Sequence, residues 1–206
     1  MNKTSHNWDP FALLLIDAQR DFWPEKMRPH FPAFPGNVSR LLTFCRREGL
    51  VVVHLRARFA PDRSDWMPRY RLRGRIPCVD GTGGAETLPF AVEEPDETVI
   101  FKQTFDGFHS DDLLLYLTSQ GKRFLLTAGL ITSTCVLFTT TSATQLGFLT
   151  AVVEDCCADE PTAHQDTLNR YQFIFDRVTV DQIPDRHAEW LGELEALAGE
   201  ENAVSR

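Results

Sequence analysis

Phe11-Ala12-Leu13-Leu14-Leu15-Ile16-Asp17-Ala18-Gln19-Arg20-Asp21-Phe22 is the stretch whose reading decides the fold. Phe11 to Ile16 is an unbroken apolar run, which reads as a strand buried on both faces. Asp17 stands where that run stops. In an open parallel α/β sheet, ligands bind at the C-terminal ends of the strands. A carboxylate there is either a functional acid or base, or the start of the capping network of the next loop.

Working outward from this strand, apolar runs and helical patterns alternate. Strands are expected at 11–17, 50–55, 98–102, 123–128, 149–154 and 176–181. Helices are expected at 36–48, 110–120, 135–145, 161–172 and 185–197, with a frayed tail to Arg206. Leu41, Leu42 and Cys45 share helical spacing, and Gly49 closes that helix, as glycine often does just past a helix end. Alternation of this kind implies right-handed βαβ units. The expected fold is α/β: one three-layer α/β/α domain with a six-stranded, mainly parallel, Rossmann-like sheet. Residues 56–97 are the least regular part, and a loop of that length in a compact domain is usually functional or a lid. Gly83-Gly84 lacks the GxGxxG spacing of a dinucleotide site and follows no clear strand.

The 206 residues suit one domain, and 43% hydrophobic content is enough for a full core. No apolar run approaches the roughly 20 residues that span a membrane. Met1 to Pro10 is polar and has no signal-peptide core, so the expectation is a soluble, cytoplasmic protein that binds no membrane. A net charge of −8 argues against a general nucleic-acid partner. Arg56, Arg58, Arg63, Arg69, Arg71, Arg73 and Arg75 are nevertheless crowded together. They form either a solvated loop or subunit contact, or a cationic lid over an anionic substrate. The five cysteines, Cys45, Cys78, Cys135, Cys156 and Cys157, include no CxxC, and a disulfide framework is not expected. No Cys/His spacing resembles a zinc site.

Chemistry concentrates at three strand ends. Asp17 is the first. Lys102, directly after Thr98-Val99-Ile100-Phe101, is the second. The chain has only three other lysines, Lys3, Lys26 and Lys122. A lysine that follows a buried strand is partly desolvated and seeks an anionic partner, unless it snorkels to water. Cys135 is the third, after the fourth strand and in the first turn of the next helix. The helix dipole there favours negative charge, so the thiol is expected to have a lowered pKa. The alternative is a buried structural cysteine. Carboxylate, ammonium and thiol on one side of one sheet would together supply a base, an electrostatic stabiliser and a nucleophile.

These segments resemble the isochorismatase-like cysteine hydrolase superfamily. That superfamily includes nicotinamidases, N-carbamoylsarcosine amidohydrolases, ureidoacrylate amidohydrolases and isochorismatases. The resemblance lies in Leu15-Ile16-Asp17-Ala18-Gln19-Arg20-Asp21-Phe22, in Lys102 with Phe108 and Asp112-Leu113, and in Gly129-Leu130-Ile131-Thr132-Ser133-Thr134-Cys135-Val136. It continues through Val152 to Ala158 and His164, and covers roughly residues 10–183. Asp80-Gly81-Thr82-Gly83-Gly84-Ala85-Glu86 also resembles a loop of many members.

The resemblance implies a catalytic triad of Asp17, Lys102 and Cys135. It also implies a cis peptide between Leu130 and Ile131, and an oxyanion hole made by the Ile131 and Cys135 N–H groups. The implied chemistry is metal-independent hydrolysis of a C–N bond in a small amide, ureide or carbamoyl compound, with no cofactor. The alternatives are hydrolysis of an anionic enol ether, with the arginines gripping carboxylates, and a non-catalytic member. Phe22 is expected to line the pocket, with Trp66, Phe105 and Phe108 as further candidates. Gln19 either orients the Asp17 loop or binds substrate, and Asp21 ties that loop. The resemblance further implies a homo-oligomer, a dimer or tetramer. Two departures stand out. His54 is not part of the Asp-x-His cluster by which nicotinamidases hold a metal. Ser133 stands where many members carry Asp.

Overall fold

A computed structural model describes residues 6–204, with side chains described as far as Glu200. Six strands are present: β1 (Phe11–Ile16), β2 (Val51–Ala57), β3 (Thr98–Lys102), β4 (Phe124–Leu130), β5 (Leu149–Ala158) and β6 (Asp176–Val178). They alternate with helices α1 (Phe34–Glu48), α2 (Pro68–Arg73), α3 (Asp111–Ser119), α4 (Leu137–Gln145), α5 (Pro161–Arg170) and α6 (Ile183–Val204). The strands form one sheet in the order β3-β2-β1-β4-β5-β6, and every neighbouring pair is parallel. The expected fold class is the observed one.

The β1 sequence explains its central place. Successive side chains point to opposite faces of a strand. Leu13 and Leu15 pack on one face with Val38, Leu41 and Leu42 of α1 and Trp190 of α6. Ala12, Leu14 and Ile16 pack on the other with Leu113 and Leu117 of α3, Ala143 of α4 and Leu168 of α5. Each such leucine or isoleucine contributes roughly 1.5–3 kcal/mol relative to an exposed one. A strand with no polar face finds that return only between two helical layers.

The strand order reverses direction at β1, which has β2 on one side and β4 on the other. Such a switch point leaves a crevice beyond the carboxyl ends of the strands. Gly129 makes the approach of β4 to β1 possible. It pairs in register with Ile16 and has φ +121°, and a Cβ built there would lie 2.0 Å from the Ile16 carbonyl oxygen. The β4–β5 register shifts between Thr127 and Gly129, with the extra residues on the β5 side, between Val152 and Cys157.

Element boundaries differ from expectation where tertiary contacts decide them. β5 runs four residues further than the expected 154, because Cys157 and Ala158 pair with Gly129 and Leu130 beyond the shift. β6 stops at Val178, where a capping box of Thr179 and Gln182 turns the chain into a short 3-10 segment. The last helix extends to Val204 rather than ending near 197, so the frayed tail expected there is helical. Residues 205–206 and the expected polar start at 1–5 lie outside the described residues. Among the described residues, no helix is long and apolar enough to cross a membrane.

The irregular region 56–97 contains α2 and several 3-10 turns. Phe59, Trp66 and Cys78 form a small core of their own with Ala57, and Met67, Tyr70 and Ile76 pack against it. The segment is therefore a folded flap over the crevice.

Candidate active site

Asp17, Lys102 and Cys135 come together at the crevice. Asp17 is fully buried, with φ +48°, a backbone turn that redirects the chain as it leaves β1. One carboxylate oxygen accepts the Ala57 N–H at 2.9 Å, and the other accepts the Lys102 ammonium at 2.7 Å. Lys102 also donates to the Thr104 carbonyl at 3.0 Å. Burial acts to lower the Lys102 pKa. The Asp17 carboxylate and Cys135 outweigh it, so the pKa is raised and the ammonium holds its charge.

Cys135 lies in a π-helical turn, Thr132–Val136, that leads into α4. Its thiol interacts with both Asp17 and Lys102. Here the structure corrects the expected lowering of the thiol pKa. Burial, reinforced by the negative charge of Asp17, pushes it well above the ordinary value, and Lys102 opposes this only in part. A helix start favours the thiolate, but desolvation penalises any buried charge. The surroundings of Cys135 thus favour the neutral thiol.

The turn is pinned at its first two residues. The Thr132 hydroxyl hydrogen-bonds His164 Nδ1 at 2.8 Å. One Asp159 carboxylate oxygen accepts both the Ser133 N–H at 2.8 Å and the Ser133 hydroxyl at 2.5 Å. Ser133 therefore takes part in a carboxylate hydrogen bond, but the carboxylate comes from the end of β5. The Leu130–Ile131 peptide is cis. The N–H groups of Thr134 and Val136, on either side of Cys135, donate to the Ile131 carbonyl at 3.1 and 3.3 Å.

A cavity of about 200 Å³ opens beside these groups. Phe22, Phe105 and Ile131 line it, as do Ala57, Phe59, Met67, Tyr70, Ile76, Pro77, Thr104 and Thr134. Three candidate pocket residues do not. Trp66 is buried in the flap core, and its indole N–H donates to the Ala60 carbonyl at 2.8 Å. Phe108 packs below the site against Phe148, with ring centroids 6.0 Å apart. Gln19 is held by the flap. Its amide nitrogen donates to the Ala57 and Ala85 carbonyls, and its amide oxygen accepts the Ala57 N–H, each at 2.9 Å. It orients the loop. Asp21 ties the same loop by accepting the Cys78 N–H at 2.7 Å.

Met67 and Tyr70 give no sequence signal because a six-residue helix is too short to display a period, and Ile76 and Pro77 lie beyond it in irregular chain. The arginines around them were the visible signal, and these point elsewhere. None of the seven lines the cavity. Arg56 pairs with Glu93, Arg58 lies 3.5 Å over the Phe101 ring, and Arg71 donates to the Trp66 and Ser64 carbonyls. His54 hydrogen-bonds Glu97 at 2.9 Å, and burial lowers its pKa. Among the described residues, no three His, Cys, Asp or Glu side chains are grouped as a metal ion would require.

The Isochorismatase domain model matches residues 11–180. The chain belongs to the isochorismatase family. A protein of Arabidopsis thaliana described as a "probable inactive nicotinamidase" is 29% identical over 201 residues, covering 92% of this chain and 99% of that protein. An isochorismatase family protein from Desulfovibrio vulgaris superposes with a TM-score of 0.80 at 27% identity, over 87% of this chain and 98% of its own. N-carbamoylsarcosine amidase from Thermoplasma acidophilum superposes with a TM-score of 0.69 at 23% identity, over 83% and 96%, a likeness of fold alone. This member of the isochorismatase family is thus a family hydrolase by its domain, and Asp17, Lys102 and Cys135 line one cavity in it.

Proposed function

We propose that this single domain is a cysteine amidohydrolase that cleaves the C–N bond of a small amide, ureide or carbamoyl compound through a thioester on Cys135. The observation that carries the proposal is the buried Asp17–Lys102 pair at 2.7 Å, with the Cys135 thiol against both charges. An ion pair so deep has little value for stability alone, whereas a base beside a thiol activates a nucleophile.

In the proposed reaction the Cys135 proton passes to Asp17 as sulfur attacks the carbonyl carbon. The Ile131 and Cys135 N–H groups receive the oxyanion, each such donor being worth about 3–4 kcal/mol. Protonated Asp17 gives its proton to the departing nitrogen, the C–N bond breaks, and ammonia or an amine leaves. Water then attacks the thioester and loses a proton to Asp17. The C–S bond breaks, and the thiolate takes that proton back. Lys102 keeps its charge throughout and steadies the carboxylate and thiolate in turn. The raised thiol pKa fits this sequence, because deprotonation is coupled to attack and not completed beforehand.

The enol-ether alternative relied on the arginines of 56–75 to grip carboxylates, and the cavity has none of them in its walls. The test is a panel of small amides and carbamoyl compounds assayed for ammonia, with mass spectrometry of the intact protein during turnover. The expected result is ammonia release with a transient acyl mass on Cys135, both abolished in Cys135→Ala. Undiminished turnover by Cys135→Ala would remove the covalent scheme.

A further inference from the structure

The walls of the cavity say more about the substrate than its reactive groups do. The lining is mainly apolar, and Phe22, Phe59, Met67, Ile76, Phe105 and Ile131 are among its residues. The two charged groups present, Asp17 and Lys102, bond to each other. A carboxylate on the acyl part of a substrate would find no unpaired cation among the lining residues. Burying it without a partner is strongly unfavourable. Arg73 and Arg75 lie instead around a separate surface depression, which shares Tyr70, Ile76 and Pro77 with the cavity wall. The flap thus presents apolar groups inward and cations outward.

Size narrows the choice further. An apolar cavity of about 150 Å³ holds one benzene ring. The volume of about 200 Å³ here leaves room for one ring and the carboxamide attached to it. The Tyr70 and Phe105 rings, with centroids 6.4 Å apart, stand at the α2 side of this space.

Resting on the amidase reading above, we propose that the acyl half of the substrate is uncharged and apolar. It is a single ring, or a branched group of that size, seated against Phe22, Phe105 and Tyr70, and the flap excludes anionic acyl groups.

Binding and turnover are to be measured separately, with benzamide as the apolar probe and succinamate as the anionic one. Calorimetry on Cys135→Ala reports affinity without chemistry. Protection of wild-type Cys135 from iodoacetamide reports the same affinity without a variant. The expected result is at least about tenfold tighter binding of benzamide, the scale on which pockets discriminate through apolar contacts. The same preference is expected in wild-type kcat/KM, and it should survive Arg73→Ala with Arg75→Ala. Ile76→Arg, which places a cation in the wall, should erase it. Tighter binding of succinamate, equal binding, or binding of neither probe overturns the proposal, as does a preference that changes with the arginine variants. Preferential binding of benzamide without any ammonia release would uphold this assignment and defeat the amidase reading. Faster hydrolysis of succinamate would do the opposite.

Discussion

Lys102→Met removes the cation from a pair in which Asp17 is fully buried and Lys102 is 5% exposed. The carboxylate would keep the Ala57 N–H at 2.9 Å and lose the Lys102 ammonium at 2.7 Å. Breaking a buried pair by removing one partner costs about 3–5 kcal/mol. Urea denaturation of wild type and variant at pH 7 measures this directly. The double variant Asp17→Asn with Lys102→Met should return to within about 1.5 kcal/mol of wild type, because no charge is then left unpaired. A Lys102→Met penalty below about 1 kcal/mol at pH 7 would refute the ion-pair argument.

Two further outcomes follow from the geometry. Because burial and Asp17 raise the Cys135 pKa, the thiolate is scarce at neutral pH, and iodoacetamide should label this residue slowly at pH 7 and faster with each unit up to pH 10. Peptide mass mapping follows the label, and rapid labelling at pH 7 would contradict the balance given for the thiol. Gly129→Ala would drive a methyl into the Ile16 carbonyl at a φ that only glycine adopts readily, so a loss of more than about 3 kcal/mol is expected in the same denaturation assay. A near-neutral result would mean that β4 can withdraw from β1.

The legible part of this chain was written in abrupt endings. Phe11–Ile16 stops at Asp17, and Thr98–Phe101 runs straight into Lys102, so strand and functional group announce each other. Direction was harder to read. Gln19 and Phe22 are three residues apart, yet one is bound by the flap and the other faces the cavity, because the turn between them is set by contacts with residues 57 and 85. Trp66 and Phe108 are aromatic for packing, and composition does not separate that from substrate contact. The thiol pKa departs from the local expectation for a related reason. A helix start is a local feature, whereas burial of 96% of the surface of Cys135 depends on the whole sheet end. The Ser133–Asp159 bond joins positions 26 apart in sequence and was equally invisible.

Ala57 has a consequence of its own. It ends β2 and is the register partner of Lys102, so it occupies the strand that separates β3 from β1. The lysine must bridge two strand spacings, roughly 9–10 Å, to reach Asp17. Its path crosses a residue with one methyl group, whose own N–H and carbonyl are already held by Asp17 and Gln19. The three-residue constellation thus has a silent fourth member, acting as a spacer. Any branching at position 57 would lengthen the bridge, and a family member with the same three reactive groups could lose its pairing through that position alone.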